Sequence, residues 1–308
     1  MLNLERLRIL QAIATYGSVS GTAEVLHVTT SAVSQQIRKL EQETGHQLVK
    51  RSGRGVELTF IAQLLAVRAG QILALVDETE AELQAYRGAP LGELTLGAFP
   101  TAARGLVPRA LRLLAERAPE LQLHIREMDF DSPMIQVERG DLDVGLVQDW
   151  DHVPIDWPAT VRKKLLMTDM AQVALPHDHR LAGRPTVRIS ELVDERWISR
   201  VRRSTCHEWL LFTMREQGTE PRIVHTVNEH PTQLALVSAG VGLAMVPTLG
   251  LGSLPDGVRV VPVEPELTRR VYAVWRAEGS VRPSVRAAVN ALAAVGDQLS
   301  TGPSPAGA

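Results

Sequence analysis

The sequence predicts an α/β protein of two unlike parts. A helical N-terminal segment with a small β-hairpin leads through one long helix into a larger module of alternating strands and helices. Three observations carry this. Apolar residues recur at helical spacing over residues 3–45, with stops at Gly17 and Gly45, and a strand–turn–strand pattern follows over residues 47–59. Residues 60–87 contain no proline. Beyond Pro90, short apolar runs alternate with helical-period segments, the pattern of an open α/β sheet.

At 308 residues the chain is too long for one ordinary domain and fits two or three, and its 44% hydrophobic content is enough for globular cores. No run of 18 apolar residues occurs, so no membrane-spanning segment is expected. The start, MLNLERLRIL, lacks the apolar stretch of an export signal, so the expected location is cytoplasmic. The single cysteine, Cys206, excludes an internal disulfide and a cysteine-based zinc site. The net charge of −2 does not exclude nucleic acid, because charge location decides: residues 1–60 hold seven Lys/Arg against five Asp/Glu.

Taken in order, Asn3 is placed to cap a helix through Leu4, Leu7, Leu10 and Ile13, which Gly17 stops. Ser18 or Ser20 caps a second helix with Ala23 and Leu26 inward. Thr29 or Thr30 caps a third, whose buried stripe is Ala32, Val33, Ile37 and Leu40 and which Gly45 ends. That stripe leaves Ser31, Ser34, Gln35, Arg38 and Lys39 outside. Ser and Gln suit base edges, and Arg and Lys suit phosphate or guanine, so the third helix has the make-up of one that enters a DNA major groove. Gln47–Arg51 and Val56–Thr59 read as a hairpin, or wing, with Arg51 and Arg54 near its tip. The expected DNA-binding residues are Thr29, Thr30, Ser31, Ser34, Gln35, Arg38, Lys39, Arg51 and Arg54.

The run GSVSGTAEVLHVTTSAVSQQIRKLE (residues 17–41), followed by LVKRSGRGVELT (residues 48–59), closely resembles the winged helix-turn-helix domain of the LysR-type transcriptional regulators. Departures are Ser31 where a proline is common, Val49–Lys50 in place of Phe-Glu, and Phe60–Ile61–Ala62 in place of Glu-Ala-Gly. None removes the groove-facing polar set. In residues 60–87, Ile61, Leu65, Ile72, Val76 and Leu83 follow four- and seven-residue steps, with Leu64, Leu73 and Leu75 beside them. A helix this apolar needs cover, from a second copy or from the chain's own downstream domain, and the resemblance implies a dimerisation helix. Two recognition helices imply an inverted-repeat operator in double-stranded promoter DNA.

Downstream, strands are expected at Glu93–Gly97, Leu121–Met128, Val144–Val147, Gln172–Leu175, Trp197–Ile198, Ile223–Val227, Val241–Val246, Val258–Val263 and Arg270–Trp275. Helices are expected at Val107–Glu116, Ile135–Arg139, Cys206–Glu216, Thr232–Ser238 and Pro283–Leu299, with a turn at Phe99–Arg104. The pieces GELTLGAFPTAARGLVPRAL, GDLDVGLV, VALPHDHRLAG, LVSAGVGLAMVP and RRVYAVWR resemble the effector-binding part of the same regulators, which is similar to periplasmic solute-binding proteins. The resemblance implies two subdomains joined by crossovers near Val161–Leu166 and Glu264–Thr268. The expected organisation is 1–59 DNA-binding, 60–89 linker helix, 90–162 with 268–300 as the first effector subdomain, 163–267 as the second, and 301–308 as a disordered tail. Ligands in such folds sit at strand carboxyl ends. The expected effector residues are Phe99, Thr101, Ala102, Met128, Gln148, Ser199, Arg200 and Asn228, with Thr101 and its neighbouring amides suited to a carboxylate.

Other features point to less. His177–Asp178–His179 is read as a loop rather than a metal pair, and Cys206–His207 as an idle thiol without a resolving partner. Glu191, Asp194 and Glu195 read as a solvated helix start. No phosphate loop, nucleophile elbow or cysteine ladder occurs, so no catalytic residue, metal or cofactor is expected. The expected function is a cytoplasmic, effector-responsive DNA-binding regulator acting as a homodimer or homotetramer, with RNA polymerase as a further candidate contact and no membrane partner. The alternatives are a solute-binding protein and an enzyme using the α/β cleft.

Overall fold

In a computed structural model, residues 2–26, 28–52, 55–87, 89–128, 132–150, 155–202 and 204–301 are described. The chain forms two compact units, residues 1–83 and 84–308. The tail from residue 302, the wing residue Arg54 and Asp129 lie outside the described residues.

The first unit opens with α1 (Leu4–Tyr16), α2 (Val19–Val25) and α3 (Thr30–Thr44). Each begins on a side-chain cap. Asn3 accepts from Arg6 N at 3.2 Å, Ser18 from Gly21 N at 3.0 Å and Thr29 from Ala32 N at 3.1 Å, each satisfying one otherwise orphaned amide. Gly45 ends α3 in the left-handed region, φ 69°, where a side chain would be strained. Val33, Ile37 and Leu40 of α3 share one core with Leu7, Leu10, Ala23 and Leu48. Burying each such Leu or Ile contributes ~1.5–3 kcal/mol. Ala32, expected in this stripe, is only half-buried.

Arg6 joins α1 to α3, donating to Gln36 at 3.1 Å and pairing with Glu43. The wing strands β1 (Val49–Ser52) and β2 (Gly55–Leu58) pair antiparallel, Val49 opposite Leu58 and Ser52 opposite Gly55. Glu41 Oε1 accepts from the amides of Leu48 and Val49 at 2.8 and 3.2 Å, which fixes the wing's entry to α3. The last element, α4 (Phe60–Arg87), buries Ala62, Ala66 and Ala69 in that core. Its large apolar residues Phe60, Leu64, Val67, Leu75 and Leu83 are exposed, by 81% at Phe60 and 64% at Val67.

The second unit runs β3 (Gly92–Ala98), α5 (Pro100–Gly105), α6 (Val107–Arg117), β4 (Leu121–Glu127), α7 (Ser132–Arg139) and β5 (Val144–Trp150). It continues with β6 (Val161–Pro176), β7 (Val187–Arg188), β8 (Arg196–Arg200), α8 (Thr205–Glu216), β9 (Arg222–Val227) and α9 (His230–Ser238). It ends with β10 (Ala244–Pro247), β11 (Val258–Arg276) and α10 (Pro283–Thr301). The main sheet has the order β10-β6-β11-β5-β3-β4, with β7 also on β11, and β8 and β9 form a separate parallel pair. β6 and β11 are antiparallel along their lengths, from Val161 opposite Arg276 to Pro176 opposite Val258. One end of this ribbon carries β5, β3 and β4 and the other carries β10. A core of Leu94, Leu96, Leu106, Val144, Leu146 and Leu292 fills the first half. Val173, Leu175, Trp197, Leu210 and Met214 belong to the core of the second.

Three expectations are corrected. The turn at Phe99–Arg104 is α5, because Pro100 at the first helical position favours a helix start and Leu106 N closes it on Ala102 O. Gln172–Leu175 is the end of a 16-residue strand rather than a short one. Val258–Val263 and Arg270–Trp275 are one strand, whose register shifts between Pro262 and Leu267. Pro262 and Pro265 lie at or beside this irregularity.

Candidate functional site

On α3, Thr30, Ser31, Gln35, Arg38 and Lys39 are exposed and Ser34 is half-buried. They lie away from the buried Val33, Ile37 and Leu40, as the 3.6-residue period requires. Thr29 is the cap, and its Oγ1 lies 2.9 Å from Ser31 Oγ. Ser34 Oγ donates back to Thr30 O at 2.8 Å, and Arg38 Nε reaches Ser34 O at 3.3 Å. The face is therefore polar, short at its N-terminal end and basic a turn later. Arg51 lies on β1, and the neighbouring Lys50 pairs across the wing with Glu57 at 3.3 Å.

In the second unit a polar cluster is built where β3, β5 and β8 end. Its centre is Arg269 of β11, which is wholly buried. Arg269 Nε donates to Asp169 Oδ2 at 2.8 Å, Nη2 lies 2.7 Å from the same oxygen and donates to Thr101 Oγ1 at 2.9 Å, and Nη1 donates to Gln148 Oε1. Asp169 Oδ1 in turn accepts from Leu249 N at 2.9 Å. Gln148 Nε2 donates to Thr205 Oγ1 at 3.2 Å, which links the end of β5 to the start of α8. Beside this link the rings of Trp150 and Trp209 lie 4.4 Å apart, tilted by 37°. The guanidinium also sits 5.4 Å from the ring centres of Phe99 and Trp150, a desolvated setting in which cation–π attraction adds to the ion pair.

The loop after β10 approaches so closely that a Cβ on Gly250, at φ 72°, would strike the Thr101 backbone, so glycine is required there. Ser199 Oγ is 2.9 Å from His207 Nδ1, and both are buried. His230 Nδ1 is 2.7 Å from Gln233 Oε1. Burial, reinforced by Arg200 and Arg269 and opposed by the Gln233 bond, lowers the His230 pKa to about 3. Burial raises the Cys206 thiol above its ordinary value, against the pull of Arg269 and Arg200, which leaves little nucleophilic thiolate.

The cluster joins Thr101 and Gln148, with Phe99 as a wall. Ser199 and Arg200 are buried at the end of β8. Ala102 points into the core, Met128 is half-buried against the Met134–Val137–Leu142 core, and Asn228 is exposed. The Thr101 hydroxyl, expected to meet a carboxylate, accepts from Arg269. Arg269, Asp169 and His230 were not singled out by the sequence, and His207 was noted only beside Cys206 and set aside. Strand alternation was the available signal: Arg269 shares its face with buried Val271 and Ala273, and Asp169 with Ala171, Val173 and Leu175.

A cavity of about 1300 Å³, open to solvent, is lined by Arg104, Asp169, Pro231, Leu249 and Gly250 among others, and by none of the expected effector residues. No group of three His, Cys, Asp or Glu among the described residues could hold a metal ion. Glu195 instead meets His179 and Arg180 at 3.3 and 3.0 Å, and Glu191 meets Arg184 at 3.0 Å, so these acids are paired. No described helix is long and apolar enough to cross a membrane.

A capped three-helix unit with a wing, followed in the chain by an α/β module with a polar cluster at its strand ends, defines a ligand-responsive DNA-binding protein. The lysR-family bacterial regulatory helix-turn-helix domain matches residues 4–63, and the LysR substrate binding domain matches residues 87–297. The chain belongs to the LysR family and is a DNA-binding transcriptional regulator with an effector-binding domain. The family is one of regulators rather than enzymes.

The HTH-type regulator YnfL of Escherichia coli, itself uncharacterised, is 28% identical over 290 residues, covering 92% of this chain and 96% of its own. CysL of Bacillus subtilis is 27% identical over 240 residues, covering 78% and 79%. Among solved structures, a full-length OxyR variant from Pseudomonas aeruginosa gives a TM-score of 0.70 at 22% identity, covering 95% of this chain and 98% of that one. CbnR in complex with its target DNA gives 0.56 at 20%, covering 96% and 100%. These two establish likeness of fold.

Proposed function

We propose that the chain binds promoter DNA as a homodimer or homotetramer in the cytoplasm, with α3 in the major groove and the wing along the backbone. Thr29, Thr30, Ser31, Ser34 and Gln35 face base edges or nearby phosphates. Arg38, Lys39, Arg51 and Arg54 supply charge. Residues 1–59 form the DNA-binding part and 60–89 the linker, whose exposed apolar face is covered by a second copy. The operator is then an inverted repeat. The observation that carries this reading is the polar, basic face of α3 opposite its buried Val33, Ile37 and Leu40.

Residues 90–162 with 268–300, and 163–267, form the two halves of the effector module. A small molecule enters the cluster of Thr101, Gln148, Ser199 and Arg200, beside Phe99, Ala102, Met128 and Asn228. It acts by favouring one arrangement of the two halves, which requires different affinity for the two states. The Gln148–Thr205 bond and the Trp150–Trp209 contact, both at the junction of β5 and α8, are the contacts such a change would remake.

The test is to compare Gln35→Ala and Arg38→Ala on a selected operator and its single-base variants. Gln35→Ala should change base preference, whereas Arg38→Ala should weaken all sequences alike and reduce the salt slope by about one. If neither substitution affects DNA binding, α3 is not the reading helix.

A further inference from the structure

One side chain beside the polar cluster has only half of its hydrogen bonding complete. His230, the first residue of α9, is 3% exposed. Gln233 Nε2 donates to Ile198 O at 2.7 Å, so the amide oxygen faces His230 Nδ1 as an acceptor. The proton of the neutral ring is assigned to Nδ1 by this network. Nε2 then presents a lone pair, and it has no hydrogen-bond partner. With its pKa lowered to about 3, the ring stays a neutral acceptor around neutral pH. A buried acceptor without a donor is destabilising, and a matching ligand group would relieve that.

The surroundings restrict what that group can be. The guanidiniums of Arg200, Arg269 and Arg104 act on His230, so an ammonium donor is repelled and a neutral O–H is accepted. Arg200 and Arg269 also act on Cys206 at the start of α8. The α9 start adds the partial positive charge of a helix N-terminus, and its cap residue Glu229 makes no side-chain cap bond. Pro231, the next residue, lines the open cavity.

We propose that the effector is a hydroxycarboxylic acid whose hydroxyl donates to His230 Nε2 and whose carboxylate lies in the field of Arg200 and the α9 start. This rests on the effector reading of the same cluster. His230 is then a specificity-determining residue: it selects for the hydroxyl, while the cationic residues select for the acid.

The experiment is calorimetric titration of the full-length protein with matched pairs that differ by one hydroxyl: lactate and propionate, malate and succinate, salicylate and benzoate. The hydroxy member of at least one pair should bind about ten-fold tighter or better, because a site built to bond a hydroxyl rejects the analogue lacking it. His230→Ala and His230→Phe should remove that preference, bringing the affinities of the two members of the pair together, with the tryptophan emission of the folded protein unchanged. Equal affinity within every pair, a preference that survives both His230 variants, or no binding of any pair overturns the proposal. Thr101→Val and Gln148→Leu separate it from the reading beneath it. Binding that weakens in these variants yet ignores the hydroxyl removes only the hydroxy-acid claim. Binding indifferent to Thr101, Gln148 and His230 alike removes the cluster as the effector site.

Discussion

Replacing Arg269 by methionine should cost the second unit about 3–5 kcal/mol, the range for breaking a buried ion pair from one side. Asp169 is 2% exposed, and its Oδ2 faces the guanidinium at 2.8 Å from Nε and 2.7 Å from Nη2. Methionine supplies similar bulk but no donor, so the carboxylate must stay buried unpaired or take up a proton. Gln148 Oε1 and Thr101 Oγ1 lose a donor in the same step. Their penalties overlap with the first, because the groups share one partner. Adding Asp169→Asn removes the orphaned charge and keeps an oxygen for Leu249 N. The double variant should therefore recover at least about 2 kcal/mol. All five tryptophans lie between residues 150 and 275, so urea unfolding followed by tryptophan emission reads the second unit separately from the first. A loss below about 1 kcal/mol for Arg269→Met, or a double variant no better than the single, would refute the claim that this pair organises the cluster.

Three further outcomes are expected. Leu64→Glu with Val67→Glu on the exposed face of α4 should convert the oligomer to monomer in sedimentation without changing helix content; an unchanged mass would remove α4 from the interface. At low salt, Arg38→Ala should weaken promoter binding more than it does at high salt, since phosphate contacts act through released counterions; a salt-independent loss would point to misfolding. For His230, the native ring stays neutral down to about pH 3, whereas the unfolded ring protonates below about 6.5. Unfolding thus takes up a proton in that window, and stability falls as pH drops from 6.5 toward 3. At pH 5.5 this amounts to ~1.5 kcal/mol relative to pH 7.5. His230→Phe should flatten that part of the unfolding profile, and an unchanged slope would contradict the buried neutral ring.

The first unit was readable because its signals are local. Asn3, Ser18 and Thr29 cap the three residues after them, Gly17 and Gly45 take left-handed turns, and one stripe per helix fills the core. On α4 the pattern misled in detail: of the named leucines only Leu73 is buried, and the rest of the buried face is built of Ala62, Ala66 and Ala69. In the second unit the strand pattern survived, but continuity did not, since prolines at a register shift imitate a loop between strands.

The polar centre was the least legible. Arg269 stands in a basic doublet with Arg270, and only alternation with the apolar Val271 and Ala273 marks it as the one that turns inward. Asp169 lies 100 residues away, and only the sheet register brings the two together. His230 looks like a residue of an ordinary helix start. Its importance comes from Gln233 one turn on and from Ile198 on another strand.

The most direct test of the central claim is selection of genomic fragments by the purified full-length protein, followed by gel shift of the recovered sites at two salt concentrations with nonspecific competitor. Recovery of sites sharing an inverted repeat, bound in a salt-sensitive way and lost with Gln35→Ala or Arg38→Ala, is the predicted result. Enrichment of no common sequence, with or without hydroxy acids present, would contradict it.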